Sequence, residues 1–158
     1  VRSRGLGDVY KRQVHAASLE RPVRLMIALE MIGYYDSAPG SQDYPYPAMS
    51  WLYPDRGDFI AVVGRMQDIN AVRQVKAALL SSRDLSVYSM NAPGFIPGID
   101  FSDHLNYWQH DIPAVMITDT AFYRNKQYHL PGDTADRLNY QKMAQVVDGV
   151  ITLLYNSK

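Results

Sequence analysis

Two short apolar runs limit what this chain can become. Val23 to Ile32 (V-R-L-M-I-A-L-E-M-I) is broken only by Arg24 and Glu30 and closes at Gly33. Phe59 to Val63 (F-I-A-V-V) closes at Gly64. Runs this short and this apolar suit strands buried on both faces of a sheet that helices cover. Leu85 to Met90 alternates apolar and polar residues like a third strand, and Ala114 to Ile117 after Pro113 reads as a fourth.

Helices fall between them. Asp68 is placed to cap a helix reaching Ser82, with Val72, Val75 and Leu79 as its apolar stripe. Ser102 is placed to cap a short helix over 103–110, and Asn139 a last one. In that last helix Tyr140, Met143, Ala144, Val147, Ile151 and Leu154 recur at helical spacing and predict the core-facing stripe. Strands alternating with helices predict an α/β domain, a layered sheet of mostly buried strands with helices on both faces. Tyr34 to Asp58 holds prolines at 39, 45, 47 and 54 and reads as a long ordered loop, its tyrosines and Trp51 packed on the body or lining a cleft.

The first thirteen residues stand apart. Asp8 to Gln13 (D-V-Y-K-R-Q) back-translates to a transposon end used in sequencing libraries, so residues 1–13 read as a non-native leader and 14–158 as one domain's worth of chain. A basic N-terminal arm is the alternative. Residues 1–13 carry four basic groups and one acid; the other 145 carry 12 basic and 15 acidic residues, a net of −3. A mildly acidic domain without a basic stripe gives no electrostatic case for nucleic acid. No apolar run approaches the ~20 residues of a membrane span. With no cysteine, disulfides and thiolate metal sites are excluded.

The chemistry concentrates between Phe101 and Thr134. His104 and His129 lie there beside acidic residues, His129 in a loop marked by Asn125, Pro131 and Gly132. Glu30 is the other anomaly. A carboxylate at the end of an apolar strand needs an ion pair, hydrogen bonds or a metal. An arginine partner and a metal fit equally well at this point. A neutral imidazole with carboxylates suits zinc, although a lone His near an Asp is more often structural.

Four segments in order carry a resemblance: L-E-M-I-G-Y at 29–34, S-D-H at 102–104, D-I-P-A at 111–114 and Y-H-L-P-G-D-T at 128–134. Together they resemble the C-terminal half of a co-catalytic zinc aminopeptidase of metallopeptidase family 28, whose members include glutaminyl cyclases. The resemblance implies a zinc exopeptidase-like fold whose N-terminal half is missing, a peptide substrate and two zinc ions in the full-length protein. It implies Glu30 and His129 as metal ligands, Tyr128 as stabiliser of the tetrahedral intermediate, and Asp103, His104 and Asp133 as supporting or pocket residues. Leu130 stands where the family commonly has Thr, and Asp111 where Gly is usual. A periplasmic or secreted location also follows from the resemblance.

The family's other ligands and its general base lie upstream, and nothing between Val14 and Pro22 supplies them. The expected activity is therefore hydrolysis of the N-terminal peptide bond by the full-length protein, with this stretch inactive alone. Two alternatives remain: a glutaminyl-peptide cyclase on the same frame, which Tyr128 in place of Trp disfavours, and a metal-free peptidase-like domain kept for protein binding. Tyr34, Tyr35, Trp51, Phe95 and Phe122 are the aromatic candidates for an apolar pocket.

Overall fold

The computed structural model describes residues 23–93 and 96–156; the leader assigned to 1–13 lies outside them, as does Phe95. Strands β1 (Met26–Leu29), β2 (Phe59–Gly64), β3 (Ser86–Asn91) and β4 (Ala114–Thr118) form one sheet in the order β1-β4-β2-β3. β1 is parallel to β4 and β2 to β3, while β2 and β4 run antiparallel. The α/β layering matches the sequence reading, with the sheet mixed in direction. No helix among the described residues is long and apolar enough to cross a membrane.

β2 and β4 are the central strands, and every residue in them is buried. The first apolar run departs from its reading. Only four of its residues are strand, at the sheet edge, and Leu29 is exposed. An edge strand has a neighbour on one side only, so apolar composition alone does not bury it.

One face of the sheet packs on α1 (Ile69–Leu79) and the last helix, which is labelled α3 (Tyr140–Asn156) because the short α2 (His104–Trp108) precedes it. Ile60, Val62, Val115 and Ile117 meet Val72, Val75, Leu79, Val146 and Leu153 there. The α1 stripe is the one the periodicity predicts. The α3 stripe is not. Val146, Gly149 and Leu153 face the core, whereas Tyr140, Val147, Ile151 and Leu154 are exposed. This helix carries two apolar stripes, and glycine selects between them. A Cβ on Gly149 would lie 2.8 Å from Leu79 Cα, so the helices approach closely only through that face.

The opposite face of the sheet carries Phe59, Ala61, Val63, Ala114 and Met116, covered by Trp108 of α2 and Ile99. Two helix starts differ from their readings. The Asp68 carboxylate takes the Arg65 guanidinium at 2.8 Å and caps nothing, and a 3-10 turn over Met66–Asp68 precedes α1. The Ser102 hydroxyl is also used elsewhere, on Glu30. Asn139 does cap, its Oδ1 accepting the Lys142 N–H at 3.0 Å. The 34–58 loop is ordered by an Asp36–Gly57 bridge and a 3-10 turn over Pro47–Trp51. Trp51, expected to pack on the body or line a cleft, is 87% exposed.

Candidate metal centre and its cavity

Because β1 and β4 are parallel, their C-terminal ends lie side by side. Pairing continues past both strands: Glu30 N–H donates to Ile117 O at 3.0 Å and Asp119 N–H to Met31 O at 2.6 Å. This register sets Glu30 beside the segment that leads on to His129.

The backbone here is unusual. Met31, Thr120 and His129 have φ of 58°, 72° and 60°. Left-handed backbone is uncommon outside glycine, is a true outlier for β-branched threonine, and persists only where surrounding contacts impose it. Asp119 supplies such contacts. It is fully buried, its Oδ2 accepts the N–H groups of Gly33 (3.0 Å) and Tyr34 (2.8 Å), and its Oδ1 accepts that of Ala121 (3.0 Å). Burial pushes its carboxyl above the ordinary carboxylate range, opposed by those hydrogen bonds and the Arg124 charge.

Arg124 joins the same segments from behind. Its Nη1 donates to Tyr34 O and Phe59 O at 3.0 and 2.9 Å, and its Nε to Gln42 Oε1 at 2.9 Å. The side chain passes over Gly57, where a Cβ would sit 2.5 Å from it. Asn125, also buried, accepts the Gln127 N–H and an Arg137 N–H, and donates to Asp133. The loop bearing Tyr128 and His129 is thus tied at both ends.

The Glu30 carboxylate accepts the Ser102 hydroxyl at 2.9 Å. The ion pairs among the described residues are Arg65–Asp68 and Lys126–Asp43, so the arginine partner open at the sequence level is not what Glu30 has there. Glu30 and Tyr128 line one cavity of about 110 Å³, set against the Phe59–Met116 face of the sheet. His129 is exposed, its ring stacked on that of Tyr128 at 3.9 Å between centroids. Of the two residues assigned as ligands, Glu30 is in the cavity wall, and His129 lies outside the lining, next in sequence to Tyr128, which is part of it.

A carboxylate without a cationic partner among the described residues and an exposed imidazole suit zinc in kind. In number they fall short. Catalytic zinc usually has three protein ligands, and no group of three or more His, Cys, Asp or Glu that could hold an ion occurs among the described residues.

The three residues read as supporting or pocket residues take different places. His104 lies outside the cavity lining and is fully buried behind it, with Nε2 2.5 Å from Ile99 O and its ring edge-on to Trp108. Since Ile99 lines the cavity, His104 braces that wall from outside. Asp103 is half-buried, immediately before α2 and also outside the cavity lining. Asp133 is exposed and bonds the Asn125 amide at 2.8 Å, so it orients the loop and not the imidazole. Of the aromatic candidates, Phe122 lines the cavity. The Tyr34 hydroxyl accepts an N–H of Arg137, Tyr35 packs under Lys142 and Arg124, and Trp51 points to solvent.

The sequence profile of peptidase family M28 matches residues 10–154. The uncharacterized protein YfbL of Escherichia coli K12 is 96% identical over 145 residues, 92% of this chain but 45% of that protein. Among solved structures, the LapA aminopeptidase of Legionella pneumophila is similar at 19% identity and a TM-score of 0.65, over 92% of this chain and 35% of that one. BSAP, a zinc aminopeptidase from Bacillus subtilis, is similar at 14% identity and a TM-score of 0.60, over 94% and 32%. The chain therefore spans less than half the length of these relatives. With the profile matched along nearly its whole length and an aminopeptidase-like fold, the chain belongs to peptidase family M28.

Proposed function

We propose that the full-length protein is a zinc-dependent aminopeptidase that hydrolyses the N-terminal peptide bond of its substrate, with two zinc ions, and that this stretch is inactive alone. The observation that carries the reading is the shared cavity: an acid with no cationic partner among the described residues and the tyrosine preceding the candidate ligand histidine open into one apolar space. Family membership and the zinc aminopeptidase among the structural neighbours support it.

Zinc, when bound, acidifies water and polarises a scissile carbonyl. The residues of this chain have separate tasks. Glu30 and His129 offer a carboxylate and an imidazole as ligands, and the Ser102 hydroxyl restricts the carboxylate rotamer. Tyr128 offers its hydroxyl to the developing oxyanion, a contribution on the order of a few kcal/mol in comparable sites. The cavity beside them receives the substrate side chain and excludes water.

The test is an assay of the full-length protein on aminoacyl anilides and a glutaminyl peptide, before and after chelation. Anilide hydrolysis that is lost on chelation and restored by zinc is expected. Pyroglutamate formation without hydrolysis would replace the peptidase with a cyclase. No bound zinc at micromolar supply would favour a protein-binding domain.

A further inference from the structure

The 34–58 loop turns one amide inward between the two segments that bear the candidate ligands. Gln42 is 5% exposed, although Asp43 beside it lies at the surface. A buried amide is costly unless its groups are hydrogen-bonded, and here they are. Oε1 accepts the Arg124 Nε–H at 2.9 Å, and Nε2 donates to Asp43 O at 2.8 Å. A guanidinium only donates and a carbonyl only accepts, so these two contacts fix which way the amide lies. The Thr120 hydroxyl faces the remaining positions, 3.1 Å from Oε1 and 2.9 Å from Nε2.

Each partner leads to a different part of the centre. Arg124 carries the contact on to Tyr34 O and Phe59 O, and Tyr34 lies in the segment that follows Glu30. Thr120 opens the turn that leads to Tyr128 and His129. The loop is tied on both sides of the amide, Gln42 N–H donating to Asp55 O at 3.0 Å and Asp43 N–H to Tyr123 O at 2.8 Å. Thr120 and Ala121 have φ of 72° and 47°, left-handed residues in succession without a glycine. Such backbone persists only where surrounding contacts impose it. Asp119 holds the Ala121 N–H, Thr118 Oγ1 the Thr120 N–H, and Gln42 the Thr120 side chain.

We propose that Gln42 is a positioning residue: its amide locks the Thr120–Ala121 turn and Arg124 together, and so sets where Tyr128 and His129 stand relative to Glu30. Gln42 lines the cavity beside Thr120, Ala121, Phe122 and Tyr128, yet its donors and acceptors are filled by the protein, so it acts on a substrate through those neighbours. The role rests on the peptidase reading for the reaction it serves, and on the hydrogen bonds alone for the placement. A displacement of about 1 Å away from the reacting atoms can cost about 100-fold in rate.

The experiment compares the full-length, zinc-supplied parent with four variants. Gln42→Met keeps the length and loses the amide, Thr120→Val keeps the shape and loses the hydroxyl, a third protein combines them, and Thr120→Ser restores the hydroxyl. kcat and KM on aminoacyl p-nitroanilides are read per bound zinc, where urea midpoints show each protein folded. Gln42→Met is expected to lose roughly 10- to 100-fold in kcat with KM little changed. The double variant should lose no more than Gln42→Met, because both changes break one contact. Thr120→Ser should turn over faster than Thr120→Val, a comparison that carries the test even if Gln42→Met does not fold. Parent-like turnover in Gln42→Met, a rise in KM alone, losses that multiply in the double variant, or equal kcat in Thr120→Val and Thr120→Ser overturns the proposal. Hydrogen exchange separates the two readings. If no anilide is hydrolysed, the peptidase reading fails; faster exchange confined to residues 119–130 in Gln42→Met or Thr120→Val then upholds the positioning role, and exchange that matches the parent or rises throughout ends it.

Discussion

Asp119 holds Gly33 from the far side of the β1–β4 pair: one carboxylate oxygen, fully buried, accepts the Gly33 N–H at 3.0 Å across 86 residues of sequence. The same oxygen takes Tyr34 and the other takes Ala121, so one side chain fixes the exit of the Glu30 segment against the start of the His129 loop.

Asp119→Ala strands the buried N–H of Gly33 and the part-buried N–H groups of Tyr34 and Ala121. Each unsatisfied group costs about 1 to 3 kcal/mol, with partial relaxation between neighbours. A loss of at least about 2 kcal/mol is expected in urea unfolding of the full-length protein. Zinc affinity should fall with it, because the segments that bear the two proposed ligands lose their common anchor. A loss under about 0.5 kcal/mol, the range of neutral surface changes, would show that the clamp is not what holds them.

The Ser102 hydroxyl on Glu30 is a smaller constraint with a cleaner readout. Ser102→Ala frees the carboxylate rotamer without opening the core. Partners that orient a metal ligand are typically worth 10- to 100-fold in affinity. Zinc affinity roughly 10-fold weaker, with an unfolding midpoint close to the parent's, is the expected outcome. Equal affinity in the two proteins would make the hydroxyl a bystander.

Much of this arrangement was legible in the residues. β2, β4 and α1 follow from apolar runs and helical periodicity because their burial is complete or one-sided. The α3 face did not follow, since periodicity cannot choose between two apolar stripes and the choice is made by Gly149 against Leu79. Glu30 stood out as an acid ending an apolar strand. The same signal marks Asp119, which closes the I-T-D end of β4. Asp68 and Ser102 show the converse. Both sit where helix caps sit, yet Asp68 accepts from Arg65 three residues earlier, and the Ser102 hydroxyl donates to Glu30, a partner 72 residues away that local sequence does not reveal.

His129 is exposed and contributes little to packing, so its removal should separate function from fold. His129→Ala in the full-length protein is expected to abolish peptidase activity while stability stays within about 1 kcal/mol of the parent. His129→Asn is the companion, because Asn tolerates the left-handed backbone of this position, φ 60°. Near-normal turnover in both would make the loop structural and remove His129 from the ligand set.

The tyrosines that line the cavity bring a pH signature. Burial pushes the Tyr44 hydroxyl up to about 12, and its nearest aromatic neighbour Tyr53 is raised by the same cause. An unfolded tyrosine ionises near 10. The folded value is the higher one, so the stability that comes from keeping the Tyr44 phenol neutral is fully present below pH ~10 and is lost as the pH climbs toward 12. Urea midpoints of the full-length protein at pH 9, 10 and 11 should therefore fall, and Tyr44→Phe should fall less steeply even though it begins lower for want of the bond to Pro54. Lysine deprotonation acts on both proteins alike and cancels in the difference. Parallel decline of the two would mean that Tyr44 ionises freely, and a hydroxyl that does so is not sealed behind the cavity wall.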